Sequence, residues 1–437
     1  MIQQIISTLL LIVFTALPVF GQFEKSGFMA TGQYKTVENS GSTSLEDVYV
    51  FHTLTGATVS YTTSAANTVN VYLYETSYSE DKIPVSATPT PAGAGRTMYT
   101  VSGLQDYRGL AVDDNGQVKA VWIIDYSLHR PRLNHILPVE AEDKCEVLKL
   151  SIGKSDMLYF RETGGQQKEI DREYDIEYDV LHWNEERFVK EAHKIEGRVI
   201  GTEFLLDQVP NIDTRFTMIG DQFGKAFGIP SSIASDIYHA VAVEAHIIAK
   251  QHTRDSDNEK DEANGSELGG SAPVEIDFYG YGNEPVADHY AWYIHDASDT
   301  KNPVARYNDK DMNYVFEREG NYKVRLEVGN TVSDCVDSLS VDVNISNYLL
   351  DIPNFFSPRG TPGQNDVFKV SYRSIVKFKC SIFNRWGNKV YEWTDPSQGW
   401  DGRYKGRLVN PGVYYYVIEA TGSDGKRHRE AGDINIL

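Results

Sequence analysis

The sequence predicts an all-β chain of tandem immunoglobulin-like β-sandwiches, and three observations carry that prediction. Short runs rich in Val, Tyr and Thr recur at short intervals, which is the spacing of strands in sandwiches. Several runs alternate apolar and polar side chains: Tyr174, Ile176, Tyr178 and Val180 interleave with Asp175, Glu177 and Asp179, giving one buried and one acidic face. The breaks between runs carry the Gly, Pro and Asn that turns require. At 437 residues the chain is long enough for several separate cores.

Residues 1–21 read as a secretory signal peptide. Ile5 to Val19 carries no charge and is apolar apart from Ser7, Thr8 and Thr15. Val19 and Gly21 are small residues at the two positions a signal peptidase reads, with Gln22 as the expected mature N-terminus. The run is short for a bilayer span, and no Cys follows it to take a lipid. No other stretch is long and apolar enough to cross a bilayer, so an integral membrane protein is not expected. Lys and Arg number 42 against 62 Asp and Glu, a net charge of −20. That excludes nucleic acid as an expected partner, because phosphate binding needs a positive surface, and it suits an exported protein. The three cysteines, Cys145, Cys335 and Cys380, are odd in number and far apart, so no disulfide framework is readable. Cys335 and Cys380 are expected in cores, since a free cysteine packs as a small hydrophobe.

Residues 22–143 are expected to form the first sandwich. Its strand-like runs are Asp47 to His52, Ala57 to Thr62, Thr68 to Tyr74, Thr97 to Val101, Arg108 to Asp113 and Lys119 to Tyr126. Asn115-Gly116 between the last two is a hairpin turn, and Pro84 to Gly95 is a proline-broken loop. Residues 144–253 form a second sandwich, with strands at Tyr174 to Val180, Arg215 to Ile219 and Asp236 to Ala249. In the last of these, Ile237, Val241, Val243 and Ile247 share one parity, and His239 and His246 fall on opposite faces. One helical turn is expected within Gly220 to Gly228.

Residues 254–271 are acidic and polar and read as a flexible, self-repelling linker. Asp255, Asp257 and Glu259 lack the glycine and flanking helices of a calcium loop, Lys260 standing at the glycine position, so no metal is expected. Residues 272–347 are the next sandwich. Val274, Ile276 and Phe278 alternate with Glu275 and Asp277, Tyr290 to Ile294 is a strand with a tryptophan to bury, and Gly320 leads into a long alternating strand ending at Val328. This segment resembles the PKD domain, an immunoglobulin-like extracellular module; the likeness lies in the strand after Gly320, while Trp292 to Ala297 departs from the family's Trp-Asp-Phe-Gly-Asp-Gly.

Residues 348–437 hold the most specific pattern. Ile352 to Pro358 is an opening strand, followed by Asn384-Arg385-Trp386-Gly387, Gly399-Trp400-Asp401-Gly402 and Asn410-Pro411-Gly412-Val413-Tyr414-Tyr415-Tyr416. Three such motifs in this order near a chain end resemble the gliding-motility-associated C-terminal domain, the type B sorting domain of the type IX secretion system of Bacteroidota. The family's acidic Asn-Gly-Asp-Gly turn is replaced here by Arg359 to Gln364. Trp386 and Trp400 read as core aromatics. The resemblance implies sorting or partner-binding roles for Asn384, Arg385, Trp386, Gly387, Gly399, Trp400, Asp401, Gly402, Lys405, Arg407, Pro411, Gly412, Tyr414 and Tyr416. It implies the type IX translocon as a partner, a PorP/SprF-type outer-membrane barrel protein as another, and export to the outer-membrane surface or beyond. Arg359, Lys389, Arg403, Lys405, Arg407, Lys426, Arg427 and Arg429 make this end basic within an acidic chain.

No catalytic residue or cofactor is expected. No Gly-Xaa-Ser-Xaa-Gly elbow, zinc helix or phosphate loop occurs. His182, Trp183, Glu185 and Glu186 read as a solvated loop. The architecture leads to the expectation of a non-enzymatic surface protein, an adhesin or a component of a surface or translocon-associated assembly. The alternative is a secreted hydrolase acting on glycan or peptide through residues 22–253, which would need paired carboxylates in a cleft.

Overall fold

The computed structural model describes residues 26–37, 44–155, 157–254, 256–260, 268–360 and 362–437, and the expected signal peptide lies outside them. The first sandwich packs a four-stranded sheet (Phe28–Thr31, Thr58–Ser64, Arg96–Ser102, Thr88–Pro91) on a six-stranded one (Tyr34–Val37, Asp47–Phe51, Gln117–Asp125, Arg108–Asp114, Val69–Tyr74, Ile83–Pro84). Asn115 and Gly116 both have positive φ in the turn joining Arg108–Asp114 to Gln117–Asp125, as the Asn-Gly pair requires. The segment expected as a proline loop instead contributes strand Thr88–Pro91. It sits at a sheet edge, where Pro89 and Pro91 forgo no ladder hydrogen bond.

The central strands of the six-stranded sheet are buried on both faces. Tyr49, Phe51, Leu110, Val121 and Ile123 face the smaller sheet. Val48, Val50, Trp122, Ile124 and Tyr126 instead pack on Leu158, Phe160 and Ile170 of a hairpin and on Phe223 and Phe227 around helix Gln222–Ala226. Double burial explains why Val121-Trp122-Ile123-Ile124 is apolar without alternation. It also makes one core of residues on both sides of position 143.

The second sandwich pairs sheet Arg132–Glu140, Leu148–Ser155, Glu203–Leu205 with sheet Phe188–Val199, Tyr174–Trp183, Thr217–Ile219, Ser232–Ala234. Its core holds Ile136, Leu150, Ile152, Tyr174, Ile176, Tyr178, Phe216 and Met218. The expected strand Asp236 to Ala249 is corrected: only Ala245–Gln251 is a strand, and it pairs with Val274–Gly282 of the third sandwich. Residues 236–244 cross between domains, held by one backbone bridge between Tyr238 and Thr214 and by side chains, with no continuous ladder. His239 Nδ1 lies 2.7 Å from Asp213, and Asn283 Nδ2 donates to Ala242 O at 2.8 Å. Parity cannot reveal such a crossing, because a single bridge and side-chain contacts there take the place of a strand ladder.

The third sandwich sets Ala245–Gln251, Val274–Gly282 and Asp311–Phe316 against Leu268–Gly270, Val336–Ile345, Gly320–Gly329, His289–Asp296 and Asp299–Tyr307. Trp292 is fully buried, and its indole N–H donates to Lys310 O at 3.1 Å. The expectation of an unstructured linker over 254–271 is corrected for its described residues. Asn258 Nδ2 donates to Val370 O (2.7 Å) and Pro396 O (2.8 Å), Lys260 N donates to Tyr372 O (2.7 Å), and Leu268–Gly270 is a sheet strand. A Cβ on Gly269 would lie 1.9 Å from Asn344 O, so the glycine that reads as a loop residue is there for close approach.

Cys145 and Cys335 form a disulfide between the second and third sandwiches, 190 residues apart, while Cys380 is free and buried in the C-terminal core. The expectation of Cys335 as a free core thiol is thereby corrected: it is buried, but the fold brings to it a partner that sequence spacing does not indicate.

The C-terminal sandwich is built on the five-stranded sheet Phe355–Phe356, Arg427–Ile436, Gly412–Gly422, Ile375–Phe383, Lys389–Trp393. Two short ladders, Leu349–Asp351 with Ser371–Arg373 and Arg403–Tyr404 with Arg407–Leu408, complete it. Phe356, Phe368, Trp393, Trp400, Ile418 and Ile434 fill the core.

Candidate functional site

The motif residues of the C-terminal sandwich separate into a buried frame and an exposed rim. Trp400 is completely buried, packed among Phe356, Tyr391 and Tyr414, with its indole N–H donating to Arg403 O at 2.9 Å. Its backbone bridges Phe368 in both directions. Gly399 and Gly402 make this possible. A Cβ at Gly399 would stand 2.5 Å from Phe368 O, and Gly402 has φ +74 with Pro358 pressed against it. Asp401 Oδ1 accepts from Arg403 N at 3.0 Å and closes the loop locally. Tyr414 and Tyr416 pack onto the core, and the Tyr414 hydroxyl donates to Asn410 O at 3.2 Å. Burial raises the Tyr414 pKa against the opposing pull of Arg359 and Arg385. Gly412, at φ +137, starts the strand, with Pro411 exposed before it.

The expectation of Trp386 as a core aromatic is corrected. It is 71% exposed, in the turn between Ile375–Phe383 and Lys389–Trp393. The turn is tightly fixed: Asn384 Oδ1 accepts from both Trp386 N and Asn388 N at 3.0 Å, and Gly387, with φ +78, donates to Asn384 O at 2.9 Å. The Arg385 guanidinium lies 4.4 Å from the centre of the Trp386 ring. The four-residue motif therefore serves the turn through Asn384 and Gly387 and presents Arg385 and Trp386 to solvent. Lys405 and Arg407 are exposed around another tight turn, where Lys405 and Gly406 have positive φ and Lys405 Nζ sits 5.3 Å over Tyr404. Beside the Trp386 turn, Glu392 is held at a pKa of about 2 by Lys389, Ser381 and Lys379.

Elsewhere, the residues expected as a solvated loop divide. Glu185 and Glu186 are exposed, whereas Trp183 stacks flat on His246 at 4.5 Å and touches Tyr281 at 4.9 Å, sealing the second sandwich to the third. A recess of about 450 Å³ on the second sandwich is lined by Glu177, Asp179, Asp213 and His239. Asp179 is paired with Lys190 (2.6 Å) and Asp213 with His239 (2.7 Å). Among the described residues no three His, Cys, Asp or Glu converge as a metal site, and no helix is long and apolar enough to cross a membrane.

Residues 350–436 match the CHU_C type IX secretion signal domain, so the chain carries that signal and is exported for surface or extracellular display. Residues 137–235 match the fibronectin type III domain, a family that sequence reading alone does not assign to the second sandwich. No curated protein matches the chain. Among solved structures, similarity extends to a tetra-tandem repeat in the extending region of a large adhesion protein, at 13% identity and TM-score 0.21, covering 88% of this chain and 96% of that one. It extends also to dimeric latent PorU from Porphyromonas gingivalis, at 12% identity and TM-score 0.17, covering 74% and 36%. Scores this low carry no inference about function.

Proposed function

We propose that this chain is a non-enzymatic surface protein, an adhesin or a component of a surface or translocon-associated assembly, presented through its C-terminal domain. The observation that supports this most is that each junction between sandwiches is closed by specific contacts. The first and second share an apolar core. The second and third are joined by Cys145–Cys335 and by Asn283, whose amide donates to Asn211 O and Ala242 O. The third and fourth meet through Ser374, which accepts from Ala272 N at 3.1 Å and donates to Ser346 O at 2.6 Å. Domains in one chain move relative to each other unless such contacts prevent it, and a stiffened tandem suits a protein that holds a surface away from its anchor. The type IX translocon handles residues 348–437 in this reading, and a PorP/SprF-type barrel protein is the proposed outer-membrane partner.

The test is deletion of residues 348–437 in a host with type IX machinery: the truncated chain is expected to remain in the periplasm, and its appearance at the surface would overturn the sorting role. The hydrolase reading has in its favour a recess with Glu177, Asp179 and Asp213 on its walls. Turnover of glycans or peptides by the purified chain that disappears in Asp179→Asn or Asp213→Asn would establish it instead.

A further inference from the structure

We infer that the outward face of the C-terminal five-stranded sheet, together with the exposed Trp386 turn that joins two of its strands, is a docking surface for a protein partner that offers an apolar recess rimmed by carboxylates. The inference rests on the sorting reading above and identifies the surface that would perform it. Ile382, Tyr416, Ile434 and Phe356 point into the core, so their neighbours Phe383, Tyr415, Asp433 and Phe355 point outward by strand alternation. In register, Phe383 lies beside Tyr415 and Tyr415 beside Asp433; Val413 and Phe355 both flank Asn435. Phe355, Val413, Tyr415 and Trp386 are all exposed. A side chain as large as Trp386 held out in water by a turn that fixes its backbone, with a guanidinium stacked on its ring, is set in position before any partner arrives, which lowers the ordering cost of binding. Trp, Tyr and Arg are also the residue types that dominate binding hot spots.

The edges of this sheet are poor sites for strand addition. One is the two-residue strand Phe355–Phe356. The other is the five-residue strand Lys389–Trp393, where Glu392 is paired with Lys389 (2.7 Å) and Lys379 (3.3 Å). Short, charged edges resist pairing, which leaves the face.

Charge selects the occupant. Residues 348–437 contain 13 of the chain's 42 Lys and Arg but 9 of its 62 Asp and Glu, so they are net +4 while the remainder is −24. A second copy would bring one net +4 module onto another. A flat anionic lipid surface would meet the exposed carboxylate of Asp433 within the face. A protein can place carboxylates opposite Arg385, donors opposite Asp433, and a pocket opposite Trp386.

The experiment compares full-length wild type, Trp386→Ala, Trp386→Phe and the chain ending at residue 347 in a host with type IX machinery, reading surface display by protease accessibility on intact cells. Trp386→Ala is expected to lose display by about tenfold or more, the scale of a hot-spot residue. It should accumulate in the periplasm with its melting temperature unchanged, and Trp386→Phe should keep most of the display. Wild-type display of Trp386→Ala, with the truncated chain retained, overturns the docking face and leaves the sorting reading intact. Display of the truncated chain overturns the sorting reading itself. Two further measurements on the purified full chain name the competing occupants. Co-sedimentation with phosphatidylglycerol vesicles that depends on Trp386 would assign the face to lipid, and a dimer in sedimentation velocity that Trp386→Ala dissociates would assign it to a second copy. Either result overturns the inference.

Discussion

Replacing Asp221 by alanine should cost the first two sandwiches about 4 kcal/mol. Asp221 is fully buried between them and Arg172 is 5% exposed, with Arg172 Nη1 donating to Asp221 Oδ2 at 2.8 Å. Arg172 Nη2 donates to His129 O at 2.6 Å, tying the pair to the end of the first sandwich. The other carboxylate oxygen accepts from the Tyr126 hydroxyl (2.7 Å) and from Gly224 N (2.8 Å), capping helix Gln222–Ala226. Removing the carboxylate leaves a guanidinium buried without its counter-charge, a loss of roughly 3–5 kcal/mol, and a lost helix cap adds about 1 kcal/mol that overlaps with it. The assay is denaturant unfolding of the full chain, following the first cooperative transition. Because Trp122 and Tyr126 share one core with Phe160 and Phe223, residues 26–235 should unfold as one unit. The Asp221→Leu, Arg172→Met double variant should recover much of the loss, since an apolar pair of similar volume removes the uncompensated charge. A loss below about 1 kcal/mol for Asp221→Ala, or strictly additive single and double variants, would refute the account.

Gly399→Ala should destabilise the C-terminal sandwich by about 2 kcal/mol or more, because its Cβ would meet Phe368 O at 2.5 Å; a thermal melt checks this. The first sandwich should weaken in acid. Burial opposes ionisation of Asp114, but hydrogen bonds from Thr63, Asn67 and Tyr61 prevail and lower its pKa. The stability it lends is present above the unfolded-state aspartate value of about 3.9 and is lost as pH falls through the lower folded value, so Asp114→Asn should flatten the acid limb of a pH–stability curve. Reducing Cys145–Cys335 should speed proteolysis at residues 236–244 while leaving the cores folded, because the bond spans two sandwiches and lies within neither core; peptide mapping after mild digestion reads the outcome. Reversing Lys405 and Arg407 to Glu should weaken partner binding in a salt-dependent way with no change in melting temperature, since both are exposed.

The sequence by itself determined the all-β class, the alternating strands over 174–180 and 320–328, the Asn115-Gly116 turn, the burial of Trp292 and the sorting module at the chain end. These depend on period and turn chemistry, which are local and therefore visible in order along the chain. Tertiary structure decided the rest. Trp386 and Trp400 sit in near-identical Trp-Gly and Trp-Asp-Gly contexts, yet one is exposed and the other buried, because only Trp400 has Phe356, Tyr391 and Tyr414 folded around it from three separate strands. The pairing of Cys145 with Cys335 across 190 residues and the capture of Asn258 by Val370 and Pro396 likewise depend on segments far apart in sequence. So does the shared core that joins Trp122 to Phe160 and Phe223. Nothing local distinguishes a surface residue from one that another domain will cover, and that covering is the physical reason these features appear only in the folded chain.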